Sequence, residues 1–249
     1  MAATELLYGR NAVREALRAG RRRAVRLVVA ERSREAGAPR DLVEAARRAW
    51  VQVVEAPRQQ LDRAVQGANH QGVLLEAGGY PYADFDEFLG PAGGRPPLYL
   101  ALDQLQDPQN VGTLLRTAEA VGVDGVLIPE HRAAAVTPAV VNASSGATEH
   151  LKIARVTNLA RSLARLKEAG VWVAGLEGVP EAESLYRADL RGALALVVGS
   201  EGGGISRLVR ERCDYLVRLP MRGRVGSLNA AVAGSIALYA VDRQREEGA

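Results

Sequence analysis

Three blocks in the second half of the chain carry residue types that could bind a ligand and do chemistry. The first, DQLQDPQNVGTLLR over residues 103–116, holds Asn110 and Arg116. The second, VGSEGGGIS over residues 198–206, holds Gly199, Ser200, Glu201 and Gly202. The third, LPMRGRVGSLN over residues 219–229, holds Leu219, Pro220, Met221, Ser227, Leu228 and Asn229. Each places small or polar residues between an apolar run and a helix-like run. In α/β proteins that is where backbone N–H groups point outward and glycine lets a ligand approach the main chain. The commonest nucleotide motifs are absent. The glycines of the second block are not spaced G-x-G-x-x-G, and Gly223 to Ser227 lacks the lysine of a phosphate-binding loop. Residue pattern alone therefore predicts an α/β protein with a ligand site at strand ends.

The elements that must hold these blocks can be read from apolar periodicity. Strands are expected at Leu98–Leu102, Gly125–Ile128, Leu151–Val156, Val171–Ala174, Ala195–Val198 and Tyr215–Leu219. Helices are expected after Asn110, at Asn158–Ala169, at Ile205–Arg212 and from Ser227 to about Arg245. Apolar strands separated by helices predict a mainly parallel sheet covered on both faces. In the helix after Asn110, Val111, Leu114, Leu115 and Ala118 share one stripe and Arg116 points away from it. Ser227 is placed to cap the last helix. That helix lacks a polar face, which predicts burial, against its own chain and against a second subunit. Residues 1–77 form a second, smaller α/β alternation, with helices around Ala12–Arg18, Asp41–Arg47 and Leu61–Val65 and strands at Val25–Val29, Val51–Val54 and Gly72–Glu76. Between 78 and 97 lie five glycines and four prolines, too many for a helix or a central strand, so a linker is expected there. The expected domains are therefore 1–77, a linker at 78–97, and 98–249.

Composition bounds the class. The chain has 249 residues, 47% hydrophobic and 24% charged, ample for a buried core. No apolar run reaches membrane-spanning length and no signal peptide is evident, so a cytoplasmic protein without membrane association is expected. Cys213 is the only cysteine and the three histidines lie far apart, so no metal is expected. The net charge of +3 conceals an asymmetry: residues 1–50 hold 12 arginines against 6 acids. Arg10, Arg21, Arg22 and Arg23 belong to that surplus, and such a patch suits a phosphate backbone as well as it suits a solvated helix end.

Taken in order, the three blocks resemble the signature motifs of the SpoU (TrmH-type) branch of the SPOUT RNA methyltransferases, over about the last 150 residues. The resemblance implies transfer of a methyl group from S-adenosylmethionine to a ribose 2′-hydroxyl of RNA. It implies an α/β SPOUT domain with a parallel sheet and a deep trefoil knot, an exception to the rule that chains avoid knots. It places Gly199, Ser200, Glu201, Gly202, Leu219, Pro220, Met221, Ser227 and Leu228 around the cofactor. Asn110, Arg116, Glu201, Ser227 and Asn229 become the catalytic set, in a homodimer with active sites at the interface. Arg116 has been proposed as general base in this family. Because a guanidinium holds its proton in proteins, we expect it instead to orient the phosphate and stabilise the developing alkoxide.

The N-terminal residues 7–17, with Asn69–Val73, resemble the L30e-like substrate-binding domain of the bacterial 23S rRNA (guanosine-2′-O-)-methyltransferases. That resemblance implies 23S rRNA as the partner, at a guanosine of the domain V P-loop, with His70 beside the arginines in RNA binding. Relatives acting on tRNA or other rRNA sites share the same catalytic motifs, so these substrates stay open. The segment Asn142–His150 also resembles a family segment, though a polar turn before a strand accounts for it equally well. Two other classes also stay open: a non-catalytic RNA-binding assembly factor and a small-molecule α/β enzyme.

Overall fold

The computed structural model describes residues 4–31, 40–90 and 94–248. The chain divides into two compact units, residues 1–81 with 136–150, and residues 82–135 with 151–249.

The first unit has a mixed four-stranded sheet in the order β1-β4-β2-β3. Its strands are β1 (Thr4–Tyr8), β2 (Ala24–Ala30), β3 (Gln52–Ala56) and β4 (Val73–Gly78). Helices α1 (Arg10–Ala19), α2 (Arg40–Arg48) and α3 (Arg58–Ala64) connect them. Leu7, Val13, Leu27, Leu42, Leu61 and Leu75 are fully buried, which is what ties so small a sheet to its helices. Pro39, a residue type favoured in the first turn of a helix and placed just before Asp41, lies outside the described residues.

Helix α5 (Pro138–Ala143) and the turn after it also belong to this unit, although they lie between two elements of the other unit in chain order. Polar groups hold them there. Asn142 Nδ2 donates to the Tyr8 carbonyl at 3.0 Å, and His150 Nε2 lies 2.9 Å from Glu15 Oε2. At the centre, the Arg22 guanidinium is gripped by the Glu149 carboxylate at 2.9–3.1 Å and by Glu5 Oε2 at 2.7 Å. Its guanidinium carbon also stacks 5.0 Å from the Tyr80 ring centre. Burial raises the Tyr80 phenol to about 12, and the hydroxyl donates to the Thr148 carbonyl at 2.9 Å.

The second unit is a seven-stranded, wholly parallel sheet in the order β7-β6-β5-β10-β8-β11-β9. Its strands are β5 (Leu98–Leu102), β6 (Gly125–Pro129), β7 (Ile153–Val156), β8 (Trp172–Leu176), the two-residue β9 (Glu183–Ser184), β10 (Leu194–Val198) and β11 (Tyr215–Arg218). Every residue of β5 and β10 is buried, as expected for central parallel strands with helices on both faces. The helices are α4 (Pro108–Ala120), α6 (Leu159–Glu168), the single turn α7 (Arg207–Arg210) and α8 (Ala230–Glu247). Strand β10 inserts between β5 and β8 although it follows both in sequence, so the chain must cross back into the middle of the sheet. The wholly parallel sheet is the one expected from the sequence. Within the stretch expected to be a linker, Phe85 and Phe88 are buried in this unit's core, Phe88 stacked 5.6 Å from Tyr99.

Two helix ends differ from expectation for a clear local reason. Helix α4 begins at Pro108, before Asn110, because Asp107 accepts the N–H groups of Gln109 and Asn110 at 3.2 and 3.1 Å. Helix α8 begins after Asn229, whose Oδ1 accepts from Ala231 and Val232 at 3.0 and 3.1 Å. Asn229, not Ser227, is the cap. Within the single chain, α8 is buried on one side. Ala231, Gly234, Leu238 and Val241 face inward, and Gly234 lets Leu114 and Val198 come within 2.9 and 3.1 Å of where a Cβ would stand. Val232, Ile236 and Tyr239 are exposed at helical spacing.

Candidate active site

The three blocks meet at the C-terminal ends of β5, β8, β10 and β11, where open parallel sheets bind ligands. There the second and third blocks, with the end of β8, enclose a cleft of about 800 Å³, within the size range of small-molecule and cofactor sites. One wall is the loop from Gly199 to Gly204, closed by paired backbone hydrogen bonds between Ser200 and Gly204 at 3.1 and 3.0 Å. A Cβ on Gly199 would stand 2.2 Å from the Gly204 backbone, so no larger residue fits that turn. The loop is also pinned from behind: the buried carboxylate of Asp103 accepts the Ser206 N–H at 2.6 Å.

The opposite wall is the segment from Leu219 through Met221, Gly226, Ser227 and Leu228 to Asn229, with Ala230 and Ala233 of α8. A third side comes from Leu176, Glu177, Gly178 and Val179 after β8, a contribution that no motif announced. The cleft thus combines apolar surface with backbone amides and two carboxylates, Glu177 and Glu201. That donor set fits a flat, cationic, hydrogen-bonding ligand such as an adenosyl sulfonium.

The expected catalytic residues fall into two groups. Asn110, Glu201 and Asn229 form one hydrogen-bonded cluster. Asn110 Nδ2 donates to Glu201 Oε1 at 3.0 Å, and Asn229 Nδ2 donates to Asn110 Oδ1 at 2.8 Å and also to Glu201 Oε1. The Ala230 N–H lies 3.4 Å from the same carboxylate oxygen, which therefore sits over the N-terminus of α8, where a negative charge is favoured. The cluster welds the starts of α4 and α8 to the glycine loop. Arg116 stands apart: it is exposed on α4, two turns from the helix start, and does not line the cleft. Ser227 lines the cleft beside Leu228. Pro220 is exposed in the same segment and does not line it.

The expected RNA-binding residues are scattered by the fold. Arg21 and Arg23 are exposed before β2. Arg22 points inward, 6% exposed and saturated by Glu149 and Glu5, so it is a structural residue of its unit. His70 is likewise buried, its Nδ1 accepting the Gly72 N–H at 2.9 Å and its Nε2 2.9 Å from Asp62. Arg10 is half-buried, its Nε donating to the Gln71 carbonyl at 3.2 Å. The short His70–Gly72 turn thus holds the start of α1 in place. Sequence could not separate Arg22 from its neighbours, because its partner lies 127 residues away.

Among the described residues no group of three or more His, Cys, Asp and Glu side chains is placed to hold a metal, and no helix is long and apolar enough to cross a membrane.

Known proteins resemble the chain over nearly its whole length. Residues 97–239 match the profile of the SpoU rRNA Methylase family, and residues 6–83 match that of the RNA 2′-O ribose methyltransferase substrate-binding domain. A Bacillus subtilis protein, YacO, assigned by name to the TrmH family of tRNA/rRNA methyltransferases, is 43% identical over 97% of this chain and 96% of its own. A Staphylococcus aureus relative of the same designation is 42% identical over 97% of both chains. Among solved structures, a TrmH-family protein from Porphyromonas gingivalis superposes with a TM-score of 0.73 at 30% identity, over 96% of this chain and 90% of that one. The SpoU methyltransferase AviRb of Streptomyces viridochromogenes, crystallised with AdoMet, shares the fold with a TM-score of 0.82 at 24% identity, over 98% and 92%. With both its motifs and its fold accounted for, the chain belongs to the SpoU/TrmH family of RNA methyltransferases.

Proposed function

We propose that this enzyme transfers the methyl group of S-adenosylmethionine to the ribose 2′-hydroxyl of a guanosine in 23S rRNA, with the domain V P-loop as its target. The observation that carries the reaction class is the Asn110–Glu201–Asn229 cluster at the edge of a glycine-walled cleft. The bound cofactor supplies an electrophilic methyl carbon on a sulfonium. The backbone of Gly199–Gly204 and the Leu219–Leu228 segment would hold it, and Leu176 and Val179 would exclude water from the cleft.

Methyl transfer to the ribose oxygen would release the hydroxyl proton to solvent or a nearby base. Alignment of oxygen, methyl carbon and sulfur carries much of the rate. Asn110, Glu201 and Asn229 fix that alignment by locking the helix starts to the cofactor loop. Ser227 positions the nucleotide, and Arg116 orients its phosphate and stabilises the developing alkoxide as a permanent cation.

Arg21 and Arg23 lie in the unit that matches the substrate-binding profile, and an exposed basic pair there suits a phosphate backbone. Among the RNA classes, the N-terminal motif favours 23S rRNA, while the relatives' names admit tRNA as well. The enzyme acts as a homodimer in this reading: Val232, Ile236 and Tyr239 of α8, with Leu228, expose apolar surface that a second copy would cover.

The experiment uses purified protein, methyl-labelled S-adenosylmethionine, and transcripts of 23S domain V and of tRNA. A 2′-O-methyl blocks alkaline cleavage of the adjacent phosphodiester, so label should appear in alkali-resistant dinucleotides from domain V. Label in tRNA alone would move the substrate to the alternative, and label in a base would refute ribose methylation.

A further inference from the structure

Trp50 is 96% exposed, the most exposed large apolar side chain among the described residues. An indole is rarely left in water, because it carries the largest apolar surface of any side chain. Its backbone is unusual as well. Trp50 follows α2 with φ 57°, the left-handed conformation that a helix-ending position normally reserves for glycine. The hydrogen bonds show why the chain turns there. Trp50 N–H donates to the Arg47 carbonyl at 3.1 Å and Val51 N–H to the Ala46 carbonyl at 2.8 Å, and Val51 is buried. A glycine would make this turn without strain and without exposing an aromatic ring. Tryptophan is worse on both counts, so neither packing nor backbone geometry accounts for it.

Its surroundings indicate what would use it. Arg47 and Arg48, in the last turn of α2, are both exposed, and Arg48 meets Glu44 at 4.0 Å across one helical turn. Strands β2 and β3 run parallel with Arg26 opposite Gln52, so the residues entering the two strands lie at the same end of the sheet. Arg21, Arg23 and Arg26 enter or begin β2, and Trp50 enters β3, the edge strand; all four side chains are exposed. Of these arginines, Arg26 is paired with Glu76 at 2.7 Å and Arg21 donates to the Glu149 and Pro81 carbonyls, so Arg47 and Arg48, three and two residues before the indole, are the cations that stand beside it in the chain. Cations next to a bare aromatic face are the elements of a site for unpaired nucleic acid.

We propose that Trp50 is a stacking platform for an unpaired base of the RNA substrate, with Arg47 and Arg48 contacting the phosphates on either side of it. This rests on the reading that the N-terminal unit binds RNA. Stacking on an aromatic side chain is tolerant of base identity, so the platform selects a loop or bulge over a duplex without choosing its sequence.

The test uses the full-length protein with two probes, an RNA hairpin bearing an unpaired loop and a fully paired duplex of the same length. The chain has two tryptophans, so a Trp172→Phe background isolates the Trp50 emission. The hairpin should quench that emission and the duplex should not. Trp50→Ala should weaken hairpin binding roughly five- to hundredfold and leave duplex binding unchanged, and Trp50→Phe should keep most of the affinity. Trp50→Gly should lose hairpin affinity yet raise Tm, separating function from fold. If Trp50→Ala binds the hairpin like wild type while Arg21→Gln with Arg23→Gln weakens it, the platform is refuted and RNA binding by this unit stands. If the wild type binds neither probe, the underlying reading fails and the proposal falls with it. If Trp50→Ala alters only the oligomeric state, the ring serves a protein contact and the proposal is overturned.

Discussion

Asn229 donates a 2.8 Å hydrogen bond to the side chain of Asn110 across 119 residues of sequence, while its own oxygen caps helix α8. One side chain therefore couples the start of the last helix to the start of α4, with the Glu201 carboxylate between them. The cap and the cluster use opposite ends of the same amide, so they can be separated by substitution.

Asn229→Ser keeps an oxygen that can accept from Ala231 and Val232 but removes the donor to Asn110 and Glu201. Its stability should stay within about 0.5 kcal/mol of wild type, whereas Asn229→Ala should lose about 1 kcal/mol. Methyl transfer should fall on the order of a hundredfold in both, because the helix starts lose their mutual registration. Thermal unfolding and turnover measured side by side decide it. A serine variant with full activity would show that Asn229 is only a cap.

Arg116 points away from the core stripe of α4 and does not line the cleft. Arg116→Ala should therefore bind S-adenosylmethionine almost as wild type by calorimetry while turnover drops by about 10²–10³-fold. A cofactor affinity that fell as steeply as turnover would place the guanidinium in the cofactor site instead.

The arginine run at 21–23 holds two kinds of residue. Arg22→Ala would strand the Glu149 carboxylate, which is 0% exposed, and should cost about 3–5 kcal/mol of stability. Neutralising Arg21 and Arg23 together should lower Tm far less, although Arg21 gives up its bonds to the Glu149 and Pro81 carbonyls at 3.3 and 3.2 Å. It should flatten the salt dependence of RNA binding by about 0.7–0.9 in log–log slope for each phosphate no longer neutralised. An unchanged slope would return both residues to ordinary solvated surface.

Cys213 is partly buried beneath α7, with its thiol pushed up to about 12 by burial first and then by the nearby Asp214 and Glu177 carboxylates. In the unfolded chain the thiol ionises near its ordinary value of 9.0, so the folded state holds the proton more tightly. The associated stability is present below about pH 9 and is lost as pH rises toward 12. At pH 8 the native protein should resist iodoacetamide, and urea-unfolded protein should react readily. Fast alkylation of the native protein would contradict the buried, neutral thiol.

Legibility in the sequence depends on distance along the chain. The parallel strands and the buried stripe of α4 follow from apolar periodicity, which is local. The cleft walls at Gly199 and Leu228 are marked by glycine and proline between elements, again a local signal. Asp107-Pro108 is a local helix start too, but the motif residue Asn110 draws the expected boundary past it. Leu176–Val179 have no distinguishing pattern and reach the cleft only because β8 lies beside β10 in the sheet. Arg22 looks identical to Arg21 and Arg23 until Glu149 is brought to it. Pairings made by the topology, not by neighbours in the chain, are what pattern reading lacks.

The outer face of α8, expected to be covered by a second subunit, is exposed in the single chain. Ala231, Gly234, Leu238 and Val241 satisfy the inner side, leaving Val232 at 45%, Ile236 at 36% and Tyr239 at 54% exposure. The three are spaced by four and three residues, so they form one continuous stripe on the outer side. In the proposed homodimer this stripe is the surface a second copy covers, and Leu228, four residues before it, lines the cleft itself. Covering the stripe should therefore matter to the cleft as well as to assembly. Ile236→Asp places a charge in the middle of the stripe and should convert a dimer into a monomer by sedimentation equilibrium. Because the residue faces outward, far-UV circular dichroism should be preserved. Methyl transfer should fall with the dimer fraction and recover at high protein concentration. A monomeric variant with undiminished activity per chain would show that the second copy contributes nothing to catalysis, and a wild type that is itself monomeric would remove the interface altogether.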